Sequence, residues 1–198
     1  MGDQPRAILL DCLGTLLELQ PPGPRLAATL GIAADEAERR MRTEIAYYRA
    51  HMHEATDAAA LADLRRHCAE IAGCDVDTLL SILVFTPFAE TRGVLVALRA
   101  RGTRLVVVSN WDVSLHEVLA RTGLSPLLDG AVSSAEVGAA KPDSAPVLAA
   151  LALAGAAPGE AWLVGDSPED AQAAVAAGVR PILLDRPRVD LRLLLSDS

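Results

Sequence analysis

The chain has 198 residues, 51% of them hydrophobic and only 3% aromatic, and carries a net charge of −8. That length allows one or at most two domains, with a core built by Leu, Val, Ile and Ala. The acidic balance, with no basic stripe and no RNA-binding aromatic motif, argues against a nucleic-acid partner. Cys12, Cys68 and Cys74 are odd in number and widely spaced, which points away from a disulfide framework or zinc site and toward a reducing, cytoplasmic setting. No apolar run approaches the roughly 18 residues that cross a bilayer. The N-terminal MGDQPRAILL meets Asp11 before a signal-length stretch develops, so no membrane association is expected.

In chain order, RAILLDC (6–12) is an apolar run ending at a turn with Gly14, which suits a buried parallel strand. From 20 to 88 no good strand is evident: PPGP opens this block, FTPF closes it, and amphipathic helical stretches fill it. Beyond it, a helix over about 90–101 leads to the clearest strand, TRLVVVSN (103–110), then a helix over about 112–122 and a weaker strand, GAVSS (130–134). A helix over about 143–154, the strand AWLVGD (161–166), a helix over about 168–177 and the strand RPILLD (180–185) complete the pattern, with one last helix expected after Asp185. Asp112, Asp143 and Ser167 are the expected N-caps, and Gly102, Gly155 and Gly178 the expected stops. Strands alternating with helices predict an α/β fold with a parallel sheet covered on both faces. The helical block would stand as a small lid over the C-terminal end of the first strand, where open α/β sheets bind ligands.

Strand ends carry the polar residues. Asp11 ends the first strand, Ser109 and Asn110 end the next clear one, and Gly165, Asp166, Ser167 and Asp170 follow AWLV. The 18 basic residues include a single lysine, Lys141, beside Pro142 at a loop-to-helix junction. A chain that uses Arg for every other positive charge marks that lysine as functional. Converging carboxylates repel one another unless a cation is bound. Asp11 and Asp166 could hold Mg²⁺, which takes few carboxylates and keeps several waters. Lys141 would offset the remaining charge and keep Asp11 ionised, hence nucleophilic. Ser109 and the amides after it would meet phosphoryl oxygens.

These residues resemble the haloacid dehalogenase superfamily of hydrolases. DCLGTL (11–16) is similar to its first motif, VVVSNWD (106–112) to the second, KPD (141–143) to the third and VGDSPEDAQAAVAAG (164–178) to the fourth. Any one piece is weak; the four in order are specific. The resemblance implies a Rossmann-like three-layer α/β/α core (1–19 and 89–198) with an inserted all-helical cap (20–88). It implies that Asp11 forms a covalent aspartyl intermediate, with Lys141 as its catalytic partner. Mg²⁺ would be held by the Asp11 carboxylate, the Leu13 backbone carbonyl and Asp166, with Asp170 supporting the site indirectly. Gly14, Thr15, Ser109 and Asn110 would cradle a small anionic substrate, a phosphate ester or anhydride, in a monomer or homodimer.

Leu13 departs from that pattern. The superfamily's phosphatases place there a second Asp, which protonates the leaving alcohol and then activates water. Losing such a general acid removes about 10²–10⁴ in rate, roughly 3–5.5 kcal/mol of barrier. Three readings follow: a Mg²⁺-dependent phosphatase that is slow or restricted to good leaving groups, a catalytically inactive binding or regulatory protein, and a metal-independent 2-haloacid dehalogenase. Asp166 weakens the last, because dehalogenases lack that metal carboxylate. Arg42, near Tyr47 and Tyr48, is its remaining support. A phosphonate hydrolase is disfavoured because the helical block contains no lysine.

Other residues have plain explanations. Cys12 suits a buried small hydrophobe. His51 and His53 diverge on a helix and make a poor metal pair. His67 and His116 lie on predicted helices without evident partners. RRMR (39–42) reads as a wet face paired with Glu36, Glu38 and Glu44, although one of these arginines or Arg49 could turn inward toward an anion. Trp111 and Asp112 would border the entrance, and Trp162 would be core.

Overall fold

The computed structural model describes residues 4–186 and 188–196. Its strands are β1 (Ala7–Leu10), β2 (Leu17–Leu19), β3 (Phe85–Pro87), β4 (Arg104–Ser109), β5 (Gly130–Ser133), β6 (Ala161–Gly165) and β7 (Arg180–Leu183). Its helices are α1 (Pro22–Leu30), α2 (Ala34–His51), α3 (Ala58–Ala72), α4 (Val76–Ile82), α5 (Thr91–Ala100), α6 (Leu115–Arg121), α7 (Ser134–Val137), α8 (Ala145–Ala154) and α9 (Pro168–Ala176). Five strands form one parallel sheet in the order β5-β4-β1-β6-β7. The chain builds outward from β1 to β4 and β5, then crosses back to β6 on the other side. The point of reversal lies beside β1, and the crevice at such a point receives ligands in open α/β sheets.

Alternation along β1 explains its uninterrupted apolar run. Ile8 and Leu10 face a core with Leu95, Leu98, Val107 and Leu115, while Ala7 and Leu9 face a second core with Val147, Ala150, Leu151 and Ala173. Both faces are dry, so neither tolerates a polar residue before the strand ends. Each fully buried Leu contributes about 1.5–3 kcal/mol.

Helices α1–α4 lie between β2 and β3 and share a separate core of Leu26, Met41, Leu64, Cys68, Leu79 and Ile82. The chain leaves for these helices through β2 and returns through β3. The two pair antiparallel, Leu17 opposite Pro87 and Leu19 opposite Phe85. The sequence reading found no strand from 20 to 88, yet β3 lies there: three residues are too few to show a period of two. The helical segment touches the sheet's C-terminal edge directly. Tyr48 donates its hydroxyl to Asp112 Oδ2 at 2.9 Å, and the Val113 amide donates to the Ala55 carbonyl at 3.3 Å.

Several local expectations shift by a residue or two. Ser144, not Asp143, is the residue before α8, and Ser114, not Asp112, precedes α6. Both aspartates instead accept amide bonds two residues on, Ala145 N at 2.7 Å and Ser114 N at 2.6 Å. Ser167 does cap α9, accepting from the Asp170 amide. After Asp185 the last helix is a 3₁₀ segment, Leu191–Leu195. Trp111 is buried against Phe85, with ring centroids 5.2 Å apart, so it packs rather than lines an entrance. Trp162 is half-buried, with the Arg180 guanidinium 4.8 Å over its ring. His116 gains a partner, with Nε2 2.8 Å from Glu136 Oε1. Glu44 departs furthest from the wet-face reading. It is only 3% exposed, inside the helical segment. Burial raises its carboxyl above the ordinary range, partly opposed by a hydrogen bond with Cys68.

Two stability outcomes follow. Leu9→Ala, on the central strand, should cost about 3 kcal/mol in urea denaturation, whereas Val96→Ala, on an exposed helix face, should stay within about 0.5 kcal/mol. For Glu44, the folded chain holds its proton more tightly than the unfolded one, so stability falls as pH climbs from the ordinary glutamate range to the raised folded value. Glu44→Gln removes that loss. It should be more stable than the parent near about pH 8, with the advantage shrinking toward about pH 4; an advantage that grew on acidification would contradict this.

Candidate active site

Asp11 immediately follows β1. Its amide continues the ladder by donating to the Val164 carbonyl at 2.9 Å, which aims the residue at the sheet's C-terminal edge. Ser109, the last residue of β4, donates its hydroxyl to Asp11 Oδ1 at 3.1 Å. Lys141 arrives on the loop between α7 and α8. Its ammonium donates to Asp11 Oδ1 at 2.7 Å, Asp170 Oδ1 at 2.5 Å and the Val108 carbonyl at 3.0 Å. Those three acceptors use every proton the group has. Asp11 and Lys141 are 7% and 5% exposed.

Each member is held from behind. Asn110 clasps the main chain of Lys141: its side-chain oxygen accepts from the Lys141 amide at 2.8 Å and its Nδ2 donates to the Lys141 carbonyl at 2.9 Å. The amide group expected to touch substrate is thus spent on aiming the lysine. Asp170 sits in the first turn of α9, where Oδ2 accepts from the Ser167 amide and hydroxyl at 3.1 and 2.8 Å. Gly165 lets this carboxylate approach, because a Cβ there would lie 2.2 Å from Asp170 Oδ2. Gly14 does the same for Asp166. It has φ +91°, and a Cβ would lie 2.1 Å from Asp166 Oδ2. Thr15 is fully buried and its hydroxyl has no partner among the described residues.

One oxygen each from Asp11, Asp166 and Asp170 lies within 4.8 Å of the others. Three carboxylates face one ammonium, which leaves an excess of negative charge. Burial raises the Asp11 carboxyl and the Asp170 charge adds to this, while Lys141 opposes it. Burial works against the Lys141 charge, but Asp11 and Asp170 outweigh it and hold the ammonium above the ordinary lysine range. Asp166 is raised by burial first, then by Asp11 and Asp170.

The unspent acceptors suit a hard divalent cation. Along the turn, the Cys12 carbonyl accepts from Leu16 and Leu17, the Leu17 carbonyl from Gly14, and the Leu16 carbonyl from Phe88 and the Thr91 hydroxyl. The Gly14 and Thr15 carbonyls accept from Arg186 at 3.0 and 2.7 Å. Only the Leu13 carbonyl is left without a donor among the described residues. No side chain among them donates to Asp11 Oδ2 or to Asp166. The Leu13 carbonyl and an unpartnered oxygen from each of two carboxylates form the kind of donor set Mg²⁺ prefers. Asp170 is different, since Lys141 and Ser167 occupy both its oxygens.

Sequence reasoning missed Arg186, which follows β7 with no pattern to mark it, and the Tyr48–Asp112 contact. Arg42 and Arg49 are exposed on α2 and have no carboxylate partner among the described residues. No described helix is long and apolar enough to cross a membrane.

A model of the haloacid dehalogenase-like hydrolases matches residues 5–178. The chain is 32% identical over 198 residues to a phosphoglycolate phosphatase of Rhodospirillum rubrum, covering 91% of this chain and 79% of that one. A crystal structure of a phosphatase of the same superfamily from Thermococcus onnurineus aligns with TM-score 0.67 and 26% identity, covering 92% of this chain and 87% of the other. A dehalogenase crystal structure aligns with TM-score 0.71 at 21% identity over 94% and 88%, a likeness of fold alone. With the polar ends of β1, β4 and β6 and the loop residue Lys141 brought together, and with a family match over residues 5–178, the chain belongs to the haloacid dehalogenase-like hydrolases.

Proposed function

We propose that this chain is a Mg²⁺-dependent phosphatase for small anionic phosphate esters or anhydrides, with Asp11 as the nucleophile and residues 20–88 as a cap. The observation that carries this reading is the buried Asp11 carboxylate. One of its oxygens is fixed by Lys141 and Ser109, no side chain among the described residues donates to the other, and the carboxylate has an oxygen within 4.8 Å of one on Asp166. A phosphatase needs a carboxylate that stays ionised, cannot rotate and faces a cation site.

Asp11, the Leu13 carbonyl and Asp166 would hold the ion. When bound, Mg²⁺ would offset the charge of the phosphoryl oxygens and orient them. With one Asp11 oxygen facing the ion, the other, Oδ1 beside Lys141 and Ser109, would attack phosphorus while the bond to the leaving oxygen breaks, so that the phosphoryl group comes to rest on the carboxylate. Lys141 lies beside the developing charge and stabilises it without giving up a proton, because its two carboxylate neighbours hold the ammonium together. Ser109, donating to Asp11 Oδ1, fixes the carboxylate's rotation. Water would then attack phosphorus, the bond from phosphorus to the Asp11 oxygen would break, and inorganic phosphate would leave carrying the water's protons, which restores the Asp11 carboxylate.

The leaving oxygen receives no proton from Leu13. An alkoxide is too basic to leave unaided, whereas an acyl or aryl oxyanion is not, so phosphate anhydrides and aryl phosphates are the favoured substrate class. The Rhodospirillum rubrum relative is described as a phosphoglycolate phosphatase. Phosphoglycolate has an alkyl leaving group and would be turned over slowly here unless its own carboxyl helps. Leu13 also keeps a second reading open, a binding protein that retains the pocket without turnover.

The two readings part experimentally. With Mg²⁺ present, Asp11→Asn should lower acetyl phosphate and para-nitrophenyl phosphate hydrolysis by about 10³-fold or more; equal rates would leave only the binding role. Leu13→Asp should raise turnover of alkyl phosphates by about 10²-fold while changing acetyl phosphate hydrolysis far less. No gain would mean that the turn does not aim residue 13 at the leaving group.

A further inference from the structure

Arg186 is outside every motif, yet two of its nitrogens donate hydrogen bonds and the third sits in an ion pair. Nε donates to the Gly14 carbonyl at 3.0 Å and Nη2 to the Thr15 carbonyl at 2.7 Å. Nη1 lies 2.7 Å from Glu90 Oε1, and the guanidinium carbon is 3.7 Å from the Phe88 ring centroid. The Arg186 and Glu90 side chains are 17% and 13% exposed, so water competes weakly for the contacts. Gly14 and Thr15 belong to the turn after the nucleophile. Phe88 and Glu90 belong to the segment where the chain returns from α1–α4, just past β3. The two segments also touch directly, through the Phe88 amide and the Thr91 hydroxyl on the Leu16 carbonyl.

We infer that Arg186 is a positioning residue that locks the nucleophile turn to the returning hinge segment, and that this lock keeps the Leu13 carbonyl turned toward Asp11 and Asp166. The turn's carbonyls are the reason. Gly14 and Thr15 directly follow Leu13, and, like that of Leu13, their oxygens are reached by no backbone donor. With no guanidinium, three consecutive carbonyls would lack partners and the turn could rotate among them. With it, the two peptides that follow are fixed as well, which reinforces the bond by which the Gly14 N–H holds the peptide after Leu13 to the Leu17 carbonyl, and Leu13 is left with a free oxygen. Arginine suits this because its planar fork spans two acceptors at once while its third face pairs with Glu90. Lysine could keep the Glu90 pair but not the bidentate grip. The metal arm of this inference rests on the phosphatase reading above; the locking of the turn does not.

The test uses the full chain and two readouts that need no turnover: Mg²⁺ titration by calorimetry and amide hydrogen exchange. Arg186→Ala should weaken Mg²⁺ binding about tenfold or more. It should also speed exchange at the amides of 14–17 and 88–91, leaving those of β6 and α8 at the parent rate. Arg186→Lys should recover most of the thermal stability but little of the Mg²⁺ affinity. Ethylguanidinium added to Arg186→Ala should restore part of both readouts. Parent-like exchange in the turn would overturn the lock, as would faster exchange spread evenly over the sheet. If turn exchange rises but Mg²⁺ affinity is unchanged, the claim about Leu13 is overturned. If the parent itself binds no Mg²⁺, the phosphatase reading fails, and the exchange result still decides the lock.

Discussion

A single ammonium buried among two carboxylates and a strand-end carbonyl organises the mouth of this sheet. Lys141 reaches Asp11, Asp170 and the Val108 carbonyl at once, which joins β1, β4, the loop before α8 and the start of α9 in one contact set. Removing the ammonium would leave two buried carboxylates facing each other with nothing between them. A half-broken buried ion set of this kind costs about 3–5 kcal/mol. The contact therefore constrains folding as well as chemistry. The loop carrying Lys141 must reach the same few ångströms as two strand ends, and Asn110 secures it there through both main-chain groups.

The same charges set what the site can take. An anionic substrate approaching three carboxylates is repelled unless positive charge precedes it. One ammonium is insufficient for three carboxylates, and the acceptors left unspent are oxygens that could hold a small hard cation. The two glycines that border these carboxylates serve that arrangement, because a methyl group at position 14 or 165 would occupy the space of Asp166 or Asp170. Around this centre most polar groups are committed to holding one another, which is how a preorganised site avoids reorganising its dipoles during reaction.

A second set of contacts ties the helices to the sheet edge. Tyr48 meets Asp112, and Ala55 meets Val113, just past the polar end of β4. β2 and β3 run side by side as the exit and return of the helical segment, and Arg186 grips the turn next to them. The docking of the helical segment and the shape of the turn after Asp11 thus involve neighbouring residues. Leu13 lies within that turn, its carbonyl without a donor among the described residues and its side chain without an acid.

Much of this was legible in the chain itself. Four apolar runs, each stopping at a polar residue, determined a parallel sheet with its chemistry at one edge, because a strand buried on both faces admits no charge until it ends. The isolation of Lys141 among arginines and the acidic strand ends determined which side chains would converge. The absence of an acid at Leu13 was equally plain. Tertiary structure decided what periodicity cannot carry. β3 is too short to show a pattern. Glu44 belongs to a charged helical run that reads as wet, and only the packing of α2 on α3 buries it. Asn110 was expected to face a ligand, and the fold turns it onto a backbone. Arg186 acts on carbonyls up to 172 residues away, and backbone acceptors leave no mark in side-chain sequence. Local pattern records which residues prefer to be buried or to end a strand; it does not record which donor is brought to which carbonyl, because that depends on how the whole chain closes.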